Sequence, residues 1–291
     1  MALLTLADGR TLELQASGPQ DGLALVVQHG TPGSLVRFRT IEQAAEARGL
    51  RLVTYSRPGY GPSTRQAGRL IADAAADLEA VLAHLGAERC VTLGWSGGGP
   101  HALACAALLP QRVAAVASVA GVGPFGQDDL EFLAGMGEEN VVEFGAAIAG
   151  AGDLTPALQG AAEALRAAEP ADLVEAMSTL LPPVDRAALE GRNGEDLAAM
   201  LTAGLQTGAD GWIDDDLAFV APWGFDPAAI RVPVFVWQGE EDLMVPFAHG
   251  RWLAEHIPGA VAHLQPGNGH LSIFFDNIDE IFDELVAAAR G

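Results

Sequence analysis

A serine lies between two glycines at a spacing that suits a nucleophile. The stretch reads Gly94-Trp95-Ser96-Gly97-Gly98 and follows an apolar, β-prone run. Glycine at both flanking positions permits a strand-to-helix turn so tight that larger side chains there would collide. Such a turn exposes the serine hydroxyl and places the Gly97 N–H at a helix start, where unpaired donors favour negative charge. The stretch therefore predicts a nucleophile together with half of an oxyanion hole.

A serine hydroxyl needs a base, and the base needs an acid that fixes its tautomer. Three consecutive acids, Glu240, Glu241 and Asp242, follow an apolar run, and His270 lies further along in a glycine-containing stretch. The order serine, acid, histidine is expected when the three come from separate strand ends of one sheet. We predict Ser96 as nucleophile and His270 as base, and the residue pattern leaves the choice among the three acids open.

A second loop can complete the oxyanion hole. The letters HGTPG at residues 29–33 follow the apolar run 23–28. Parallel sheets bind their ligands at the carboxyl ends of their strands. Backbone N–H groups of this loop, Thr31 first, can therefore supply the second donor, and we expect His29 to brace the loop rather than to transfer protons. The other histidines have ordinary helix or strand contexts: His84, His101, His249, His256 and His263.

Strands and helices alternate along the chain, which predicts an α/β fold with a mostly parallel sheet. The first two strands are expected to be antiparallel, because alternating residues flank Asp8-Gly9, a strong signal for a two-residue hairpin turn. The expected strands are residues 3–6, 11–14, 23–28, 52–55, 91–93, 113–119, 232–237 and 260–264. The expected helices are residues 41–47, 70–85, 247–256 and 273–289, with one more beginning near residue 102.

A long helical insertion is predicted between two parts of the core. Residues 123–225 hold helix-favouring segments and no convincing strand, so we predict a cap there and a core made of residues 1–122 and 226–291. Residues 122–230 carry 20 acidic residues and 3 arginines, which is −17 of the total charge of −22. We attribute this charge to a solvated helical surface rather than to steering of a cationic substrate.

Residues 121–126 spell G-x-G-x-x-G after a strand, and a dinucleotide site must be weighed. That motif needs glycines that open a helix and a second strand that ends in an acidic residue about 20 positions on. A long helical region follows here instead. We therefore interpret these glycines as a hinge into the insertion.

Composition excludes several classes of function. A net charge of −22 without a basic patch argues against nucleic acid and against anionic membrane surfaces as partners. All basic residues are arginine, so lysine chemistry is absent. No apolar run reaches the ~20 residues that span a bilayer, and the N-terminus lacks a leader pattern, so we expect a cytoplasmic protein. In that compartment Cys90 and Cys105 are expected to be buried thiols without a disulfide.

Four stretches together resemble the α/β-hydrolase family, in particular its serine hydrolases with a helical cap, such as carboxylesterases and proline iminopeptidases. The stretches are residues 29–33, 57–61, 94–98, and 239–246 taken with 269–270. The resemblance covers essentially the whole chain. It implies Ser96 as nucleophile, His270 as base, Asp242 as orienting acid through the spacing G-x-x-D-x-x-V-P, and the N–H groups of Thr31 and Gly97 as the oxyanion hole.

The expected function is that of a carboxylesterase, which cleaves a small or medium ester through an acyl-enzyme and needs no metal or organic cofactor. Trp95, Phe125, Leu243 and Met244 are expected to line an apolar substrate pocket, because each flanks a catalytic loop or the cap hinge. The expected partner is a small-molecule substrate, and assembly into a homo-oligomer is left open.

Other functions share this architecture. The first alternative is an aminopeptidase or amidase of the proline iminopeptidase type, whose His-Gly-x-Pro-Gly loop is similar but whose usual Gly-Gly-Ser-Trp-Gly elbow differs from the one here. Carbon–carbon bond hydrolases and hydroxynitrile lyases are further enzymes with this fold. A small-molecule receptor that keeps the triad is the alternative outside enzymes.

Overall fold

The computed structural model describes residues 1–35, 37–167, 177 and 179–291. Eight strands form one sheet in the order β1-β2-β4-β3-β5-β6-β7-β8, so the predicted α/β fold is confirmed. Strands β1 and β2 pair antiparallel, as do β2 and β4, and all other neighbours are parallel. The strands are β1 Ala2–Thr5, β2 Thr11–Ser17, β3 Ala24–Gln28, β4 Arg51–Tyr55, β5 Cys90–Trp95, β6 Val113–Val119, β7 Val234–Gly239 and β8 Val261–Gln265.

Helices cover the sheet and make up most of the described part of the long connection between β6 and β7. In the described residues they are α1 Arg39–Ala47, α2 Ala74–Leu85, α3 Gly98–Leu108, α4 Glu138–Ala149, α5 Ala151–Ala167, α6 Pro183–Ala188, α7 Arg192–Leu205, α8 Asp210–Val220, α9 Phe247–His256, α10 Ser272–Phe275 and α11 Ile278–Arg290. Two single turns of 3₁₀ helix lie at Ile71–Asp73 and Pro227–Ala229. No helix of the described residues is long and apolar enough to cross a membrane.

The N-terminal hairpin is confirmed, but its predicted two-residue turn is wrong. The Leu6 N–H donates to the Arg10 carbonyl at 2.7 Å, so three residues lie in the turn. Gly9 has a φ of 87°, in the left-handed region, and Asp8 accepts from the Arg10 N–H at 3.0 Å. A three-residue loop with glycine in this conformation is the next most common hairpin connection, and it uses the same residue types.

The central strands explain why their sequences are continuously apolar. Every residue of β3, β5 and β6 is buried, because helices pack on both faces of the sheet. Each buried valine or leucine contributes about 1.5–3 kcal/mol relative to an exposed one. The carboxyl ends of β3, β5, β7 and β8 lie along one edge of the parallel sheet, and the predicted catalytic loops begin there.

We call residues 123–225 the cap segment. Its described residues hold helices, turns and loops but no strand, and residues 168–176 and 178 lie outside the described part. The predicted boundaries of the cap stay a prediction. The glycines at 121–126 open no helix, because the next helix is α4, and the Gly123 N–H instead donates to His249 Nδ1 at 3.0 Å. These glycines, which we interpret as a hinge, are thereby tied to the helix α9 of the core.

Two smaller expectations concern the closing helix and the cysteines. The single helix predicted for residues 273–289 is wrong, since α10 and α11 are separated at Asp276 and Asn277. The Asn277 side chain donates to the Ile273 carbonyl at 2.9 Å and so competes with the helix for that acceptor. Cys90 and Cys105 are both buried and free.

Candidate active site

Ser96 occupies a strained turn between β5 and α3. Its φ is 57°, in the left-handed region that non-glycine residues rarely adopt. The flanking glycines are required by close approach: a Cβ at Gly94 would meet the Gly98 carbonyl oxygen, and one at Gly98 would meet the Gln28 carbonyl oxygen. Strain of this kind persists only where the surrounding structure fixes it, and it is concentrated at functional sites. The predicted nucleophile elbow therefore has the expected backbone geometry.

His270 is hydrogen-bonded to one acid. Its Nδ1 lies 2.8 Å from Asp242 Oδ2, and both side chains are almost fully buried. The other oxygen of Asp242 accepts from the N–H groups of Met244 at 2.9 Å and Val245 at 2.8 Å, while Gln238 Nε2 donates to Oδ2 at 2.9 Å. Because a carboxylate only accepts, the imidazole proton is on Nδ1 and Nε2 is left as the basic nitrogen.

The structure separates the three consecutive acids. Asp242 is buried against His270, whereas the side chains of Glu240 and Glu241 are exposed. The Glu240 N–H pairs with the Gln265 carbonyl at 3.0 Å, which continues the β7–β8 pairing past the strand end. The turn after this pair directs only Asp242 inwards. The acid that the family spacing implies is thus the one beside the histidine.

The surroundings of His270 favour its charged form. Burial alone lowers the pKa of a histidine, but the charge and hydrogen bond of Asp242, with the charge of Asp185, outweigh it. The pKa of His270 is therefore raised above its ordinary value of 6.5. A base with this pKa can accept a proton from serine and stabilise the resulting imidazolium.

Trp95 connects the elbow to the histidine loop. Its Nε1 donates to the His270 carbonyl at 3.3 Å, and the two rings have centroids 5.9 Å apart. On the other side of the elbow, a Cβ added to Gly30 would lie 3.4 Å from Ser96 Cβ. The loops that hold Ser96, His270 and Gly30 therefore meet at one place on the sheet edge.

The two predicted oxyanion donors lie side by side. A Cβ added to Gly97 would meet Thr31 Oγ1, and it would lie 2.9 Å from Cζ of Phe219 in α8. The Thr31 hydroxyl donates to Asp215 Oδ2 at 2.6 Å. The structure thus brings Thr31 and Gly97 together beside Ser96, with residues of the cap segment packed over them.

A buried charge cluster, which no sequence pattern predicts, lies beneath this loop. Asp215 of α8 is fully buried and pairs with Arg57 Nη2 and Arg69 Nη2, each at 2.6 Å. Tyr60 donates its hydroxyl to Asp215 Oδ2 at 2.8 Å. Burial by itself raises the pKa of Asp215, but the two arginines outweigh it, and this pKa is well below the usual range. Residues 57–61 match a family stretch, yet no pattern in the sequence identifies their partner.

His29 braces the loop with both ring nitrogens. Nδ1 lies 2.8 Å from the Gly30 carbonyl oxygen, and Nε2 accepts from the Arg57 N–H at 3.1 Å. The Arg57 Nη1 also donates to the His29 carbonyl. Burial, and then the charge of Arg57, hold the pKa of His29 well below its ordinary value. A neutral imidazole with both nitrogens engaged has the bracing role expected of His29.

His101 is neutral as well. Its Nδ1 lies 2.8 Å from the Gly97 carbonyl oxygen, and its Nε2 lies 3.5 Å from Asp215 Oδ1. Burial, with the charge of Arg57, lowers the pKa of His101 to about 3. It therefore joins the elbow to the buried cluster without carrying charge.

Two of the expected wall residues, Trp95 and Phe125, have different surroundings. Trp95 is buried, and it packs on Phe38, Phe274 and Phe275. Its place in a pocket wall stays a prediction. Trp95 is the residue before Ser96, and its ring packs against the short helix α10. Phe125 instead borders a cavity of about 400 Å³. This cavity lies at the junction of the cap segment and the core, beside residues 221–228 and Trp252.

Leu243 and Met244 connect the acid loop to the cap segment. The Leu243 carbonyl accepts from the Gly137 N–H at 2.7 Å, and the Met244 carbonyl accepts from Asn140 Nδ2 at 3.0 Å. Leu243 is half-buried and Met244 is buried. Their backbones thereby fix the start of α4 against the loop of Asp242.

One group of side chains in the described residues has a spacing that could hold a metal ion. His263, Glu280 and Glu284 offer ligand atoms within 4.8 Å of one another. They lie on β8 and α11, and His263 is already paired with Glu284 at 2.8 Å. None of them belongs to the site around Ser96.

Known proteins agree with this architecture. A family model described as alpha/beta hydrolase fold matches residues 24–277. The uncharacterized hydrolase YcgS of Bacillus subtilis is 27% identical over 268 residues, which cover 91% of this chain and 89% of that protein. A pimeloyl-[acyl-carrier protein] methyl ester esterase of Chromobacterium violaceum is 29% identical over 232 residues, 80% of each protein.

Among solved structures, the esterase EaEST from Exiguobacterium antarcticum has a TM-score of 0.70 at 19% identity. The match covers 100% of this chain and 99% of that one, and at this identity it is a likeness of fold. Since the family model spans most of the chain and the fold agrees along its whole length, the chain belongs to the α/β-hydrolase family.

Proposed function

We propose that the protein is a serine hydrolase that cleaves small or medium carboxylic esters through an acyl-enzyme. The observation that carries the proposal is the buried hydrogen bond between His270 and Asp242. Ser96 is held at positive φ, and Trp95, the residue before it, contacts the His270 loop. The pairing with Asp242 leaves Nε2 of His270 free to act as base, as the chemistry of a serine nucleophile requires. The esterase names of a relative and of a structural neighbour support an ester as substrate.

In the first half of the reaction, Ser96 Oγ attacks the ester carbonyl carbon while His270 Nε2 takes the hydroxyl proton. The carbonyl electrons move to oxygen, and the N–H groups of Thr31 and Gly97 stabilise this oxyanion. Collapse of the tetrahedral intermediate breaks the bond to the alcohol oxygen, which takes the proton from His270. The acyl group stays on Ser96.

In the second half, water attacks the acyl-enzyme and His270 Nε2 takes its proton. The second tetrahedral intermediate then expels Ser96 Oγ, which recovers the proton from His270, and the carboxylic acid leaves. Asp242 holds the imidazole and stabilises its charged form in both halves without itself taking a proton. Every proton is returned, so the cycle needs no cofactor.

A panel of p-nitrophenyl esters of increasing acyl length, assayed beside proline p-nitroanilide, tests the proposal. We expect ester turnover with an optimum at short or medium acyl chains. Ser96→Ala should abolish both turnover and labelling by a fluorophosphonate while the protein stays folded, because the change removes one hydroxyl from a turn. Labelling of Ser96 with no turnover of any ester would instead favour the receptor alternative.

A pair of acids in the cap segment keeps the aminopeptidase as second candidate. Asp216 is fully buried, and among the described residues it forms no ion pair with a basic side chain. Its neighbour is Glu143, which accepts from Trp212 Nε1 at 2.8 Å. Asp216 lies one helical turn before Phe219, the residue packed against Gly97. An acid pair in this position could bind a substrate amine.

The same panel decides between the two candidates. If the protein is an aminopeptidase, proline p-nitroanilide should be cleaved faster than any ester, and Glu143→Gln should raise its KM. If the protein is an esterase, the anilide should be a poor substrate and Glu143→Gln should leave ester turnover close to wild type. Dominant anilide cleavage would overturn the ester proposal.

A further inference from the structure

A buried carboxylate from the cap segment holds the loop of His270. Asp185 of α6 is fully buried. Its Oδ2 accepts from the His270 N–H at 2.7 Å, and its Oδ1 accepts from the N–H groups of Leu271 at 3.0 Å and Ser272 at 2.8 Å. The Ser272 hydroxyl also donates to Oδ1, at 2.8 Å. One side chain therefore satisfies three consecutive backbone donors and one hydroxyl.

The fit between the carboxylate and this loop is close. A Cβ added to Gly269, the residue before the histidine, would meet the Asp185 carboxylate. The Ser272 hydroxyl also accepts from the Gly269 N–H at 2.7 Å, so it links both ends of the turn. Hydrogen bonds to an ionised acceptor are shorter and stronger than neutral ones. The backbone around His270 is thus fixed from outside the core by a residue of a different segment.

Asp185 also acts on the imidazole through its charge. Among the described residues, the charged groups that raise the pKa of His270 are Asp242 and Asp185. Asp242 contacts the ring, whereas Asp185 contacts only the backbone of the same residue. The histidine therefore lies between one carboxylate from the core and one from the cap segment.

We propose that Asp185 is a positioning residue for the catalytic base, through which the cap segment holds His270 in its working position. The inference rests on the proposed role of His270. It makes the cap segment part of the catalytic apparatus as well as a cover for the substrate. A purely structural role would predict that loss of Asp185 lowers the amount of folded protein and leaves the properties of the folded enzyme unchanged.

The test is the pH–rate profile of Asp185→Asn in the full chain. We expect kcat to fall by on the order of ten- to a hundred-fold with KM little changed, since a small displacement of a catalytic group is costly. We also expect the acid limb of kcat/KM to move to lower pH, because removal of a nearby negative charge favours the neutral imidazole. Rates are referred to active sites counted by fluorophosphonate labelling.

The matched control is Asp196→Asn. Asp196 is another buried acid of the cap segment, and it binds a core element, because it accepts from the N–H of Arg39 at 2.8 Å and pairs with its side chain. In the part of the chain that the structure describes, its hydrogen bonds and ion pairs go to Arg39 and not to the His270 loop. We expect the kcat of Asp196→Asn, and the acid limb of its kcat/KM profile, to match those of wild type. If Asp185→Asn behaves as this control does, the inference is overturned.

Ser272→Ala covers the case in which Asp185→Asn does not fold. This change removes the hydroxyl that joins Asp185 to Gly269 and leaves the carboxylate in place. We expect kcat to fall by roughly three- to tenfold at unchanged KM. An unchanged kcat would contradict the inference.

Failure of the proposed function gives a different result. If wild-type protein hydrolyses neither esters nor amides, the imidazole of His270 can still be titrated by NMR in wild type and in the two aspartate variants. A lower pKa of His270 in Asp185→Asn alone would support the placement of Asp185. An equal pKa in all three would overturn it without reference to turnover.

Discussion

The hydroxyl of Thr31 donates to the carboxylate of Asp215 across 2.6 Å, although the two residues are 184 positions apart in the chain. Thr31 lies in the loop after β3, and Asp215 lies on α8 of the cap segment. The same hydroxyl accepts from Arg57 Nη2 at 3.0 Å, so its rotamer is fixed from two sides. The loop that we expect to stabilise the oxyanion is therefore held by a charge cluster shared between cap segment and core.

Thr31→Val should lower kcat and leave KM close to wild type. Valine keeps the shape of threonine but removes the hydroxyl, so Asp215 loses one donor and the loop loses its tie to α8. We expect kcat to decrease by roughly tenfold. Displacement of an oxyanion donor weakens the stabilisation of the transition state and leaves binding of the substrate unchanged. Steady-state kinetics on the best p-nitrophenyl ester measure the effect.

Thr31→Ser is the control for that change. Serine keeps the hydroxyl and loses only a methyl group, so we expect kcat within about twofold of wild type. If the serine variant falls as far as the valine variant, packing of the methyl group, and not the hydrogen bond to Asp215, holds the loop.

Asp242→Asn should be far more damaging than Glu240→Gln or Glu241→Gln. Asparagine cannot stabilise imidazolium and favours the wrong tautomer, which can cost on the order of 10⁴ in kcat in triad enzymes. The two glutamates are exposed and act on the site only as distant, screened charges, so their variants should retain activity. Measurement of kcat for all three variants decides the assignment, and collapse of a glutamate variant with Asp242→Asn within about tenfold of wild type would refute it.

The wild-type protein should lose activity on the acid side of its pH profile, with a midpoint above 6.5, the ordinary pKa of histidine. Only neutral His270 can accept the serine proton, and its pKa is raised above 6.5. Activity is therefore present above this raised pKa and falls as the pH drops through it. The pH dependence of kcat/KM, which reports the free enzyme, measures the midpoint. A midpoint clearly below 6.5 would contradict the raised pKa.

The elements and the residues that meet at the sheet edge could be predicted because their signals are local. Continuous apolar runs identify strands that are buried on both faces, and glycines identify the turns that end them. The elbow around Ser96 and the loop of His270 follow from those signals. For the turn at Asp8 and Gly9, the sequence predicts the right place but the wrong length, since its residue types suit more than one hairpin loop.

The cap carboxylates could not be predicted, because their roles depend on distant partners. Asp185 and Asp215 belong to residues 122–230, which hold 20 acidic residues, and nothing local distinguishes these two from the solvated ones. Asp215 is buried because Arg57 and Arg69 surround it, and Asp185 is buried because the turn at His270 offers three backbone donors. The packing of Trp95 likewise depends on distant residues, namely Phe38, Phe274 and Phe275.

The acid pair in the cap segment should make stability depend on pH. Burial, and then the charge of Glu143, raise the pKa of Asp216 well above its ordinary value of 3.8. When folding raises the pKa of a group, that group contributes to stability. Its contribution is fully present below the pKa of the unfolded state and is lost as the pH rises towards the pKa of the folded state. Each unit by which the pKa is raised corresponds to about 1.4 kcal/mol.

Asp216→Asn should remove this dependence. The amide carries no charge at any pH and can donate to the Glu143 carboxylate. We therefore expect the Tm of the variant to equal that of wild type at about pH 4, near the unfolded pKa, and to exceed it by at least about 2 °C at pH 8. Asp128→Asn is the matched control, because Asp128 is an exposed acid of the same segment. The difference in Tm between this variant and wild type should stay constant from pH 4 to pH 8. A Tm difference for Asp216→Asn that is equally constant from pH 4 to pH 8 would show that Asp216 titrates normally and that the two acids do not share a buried site.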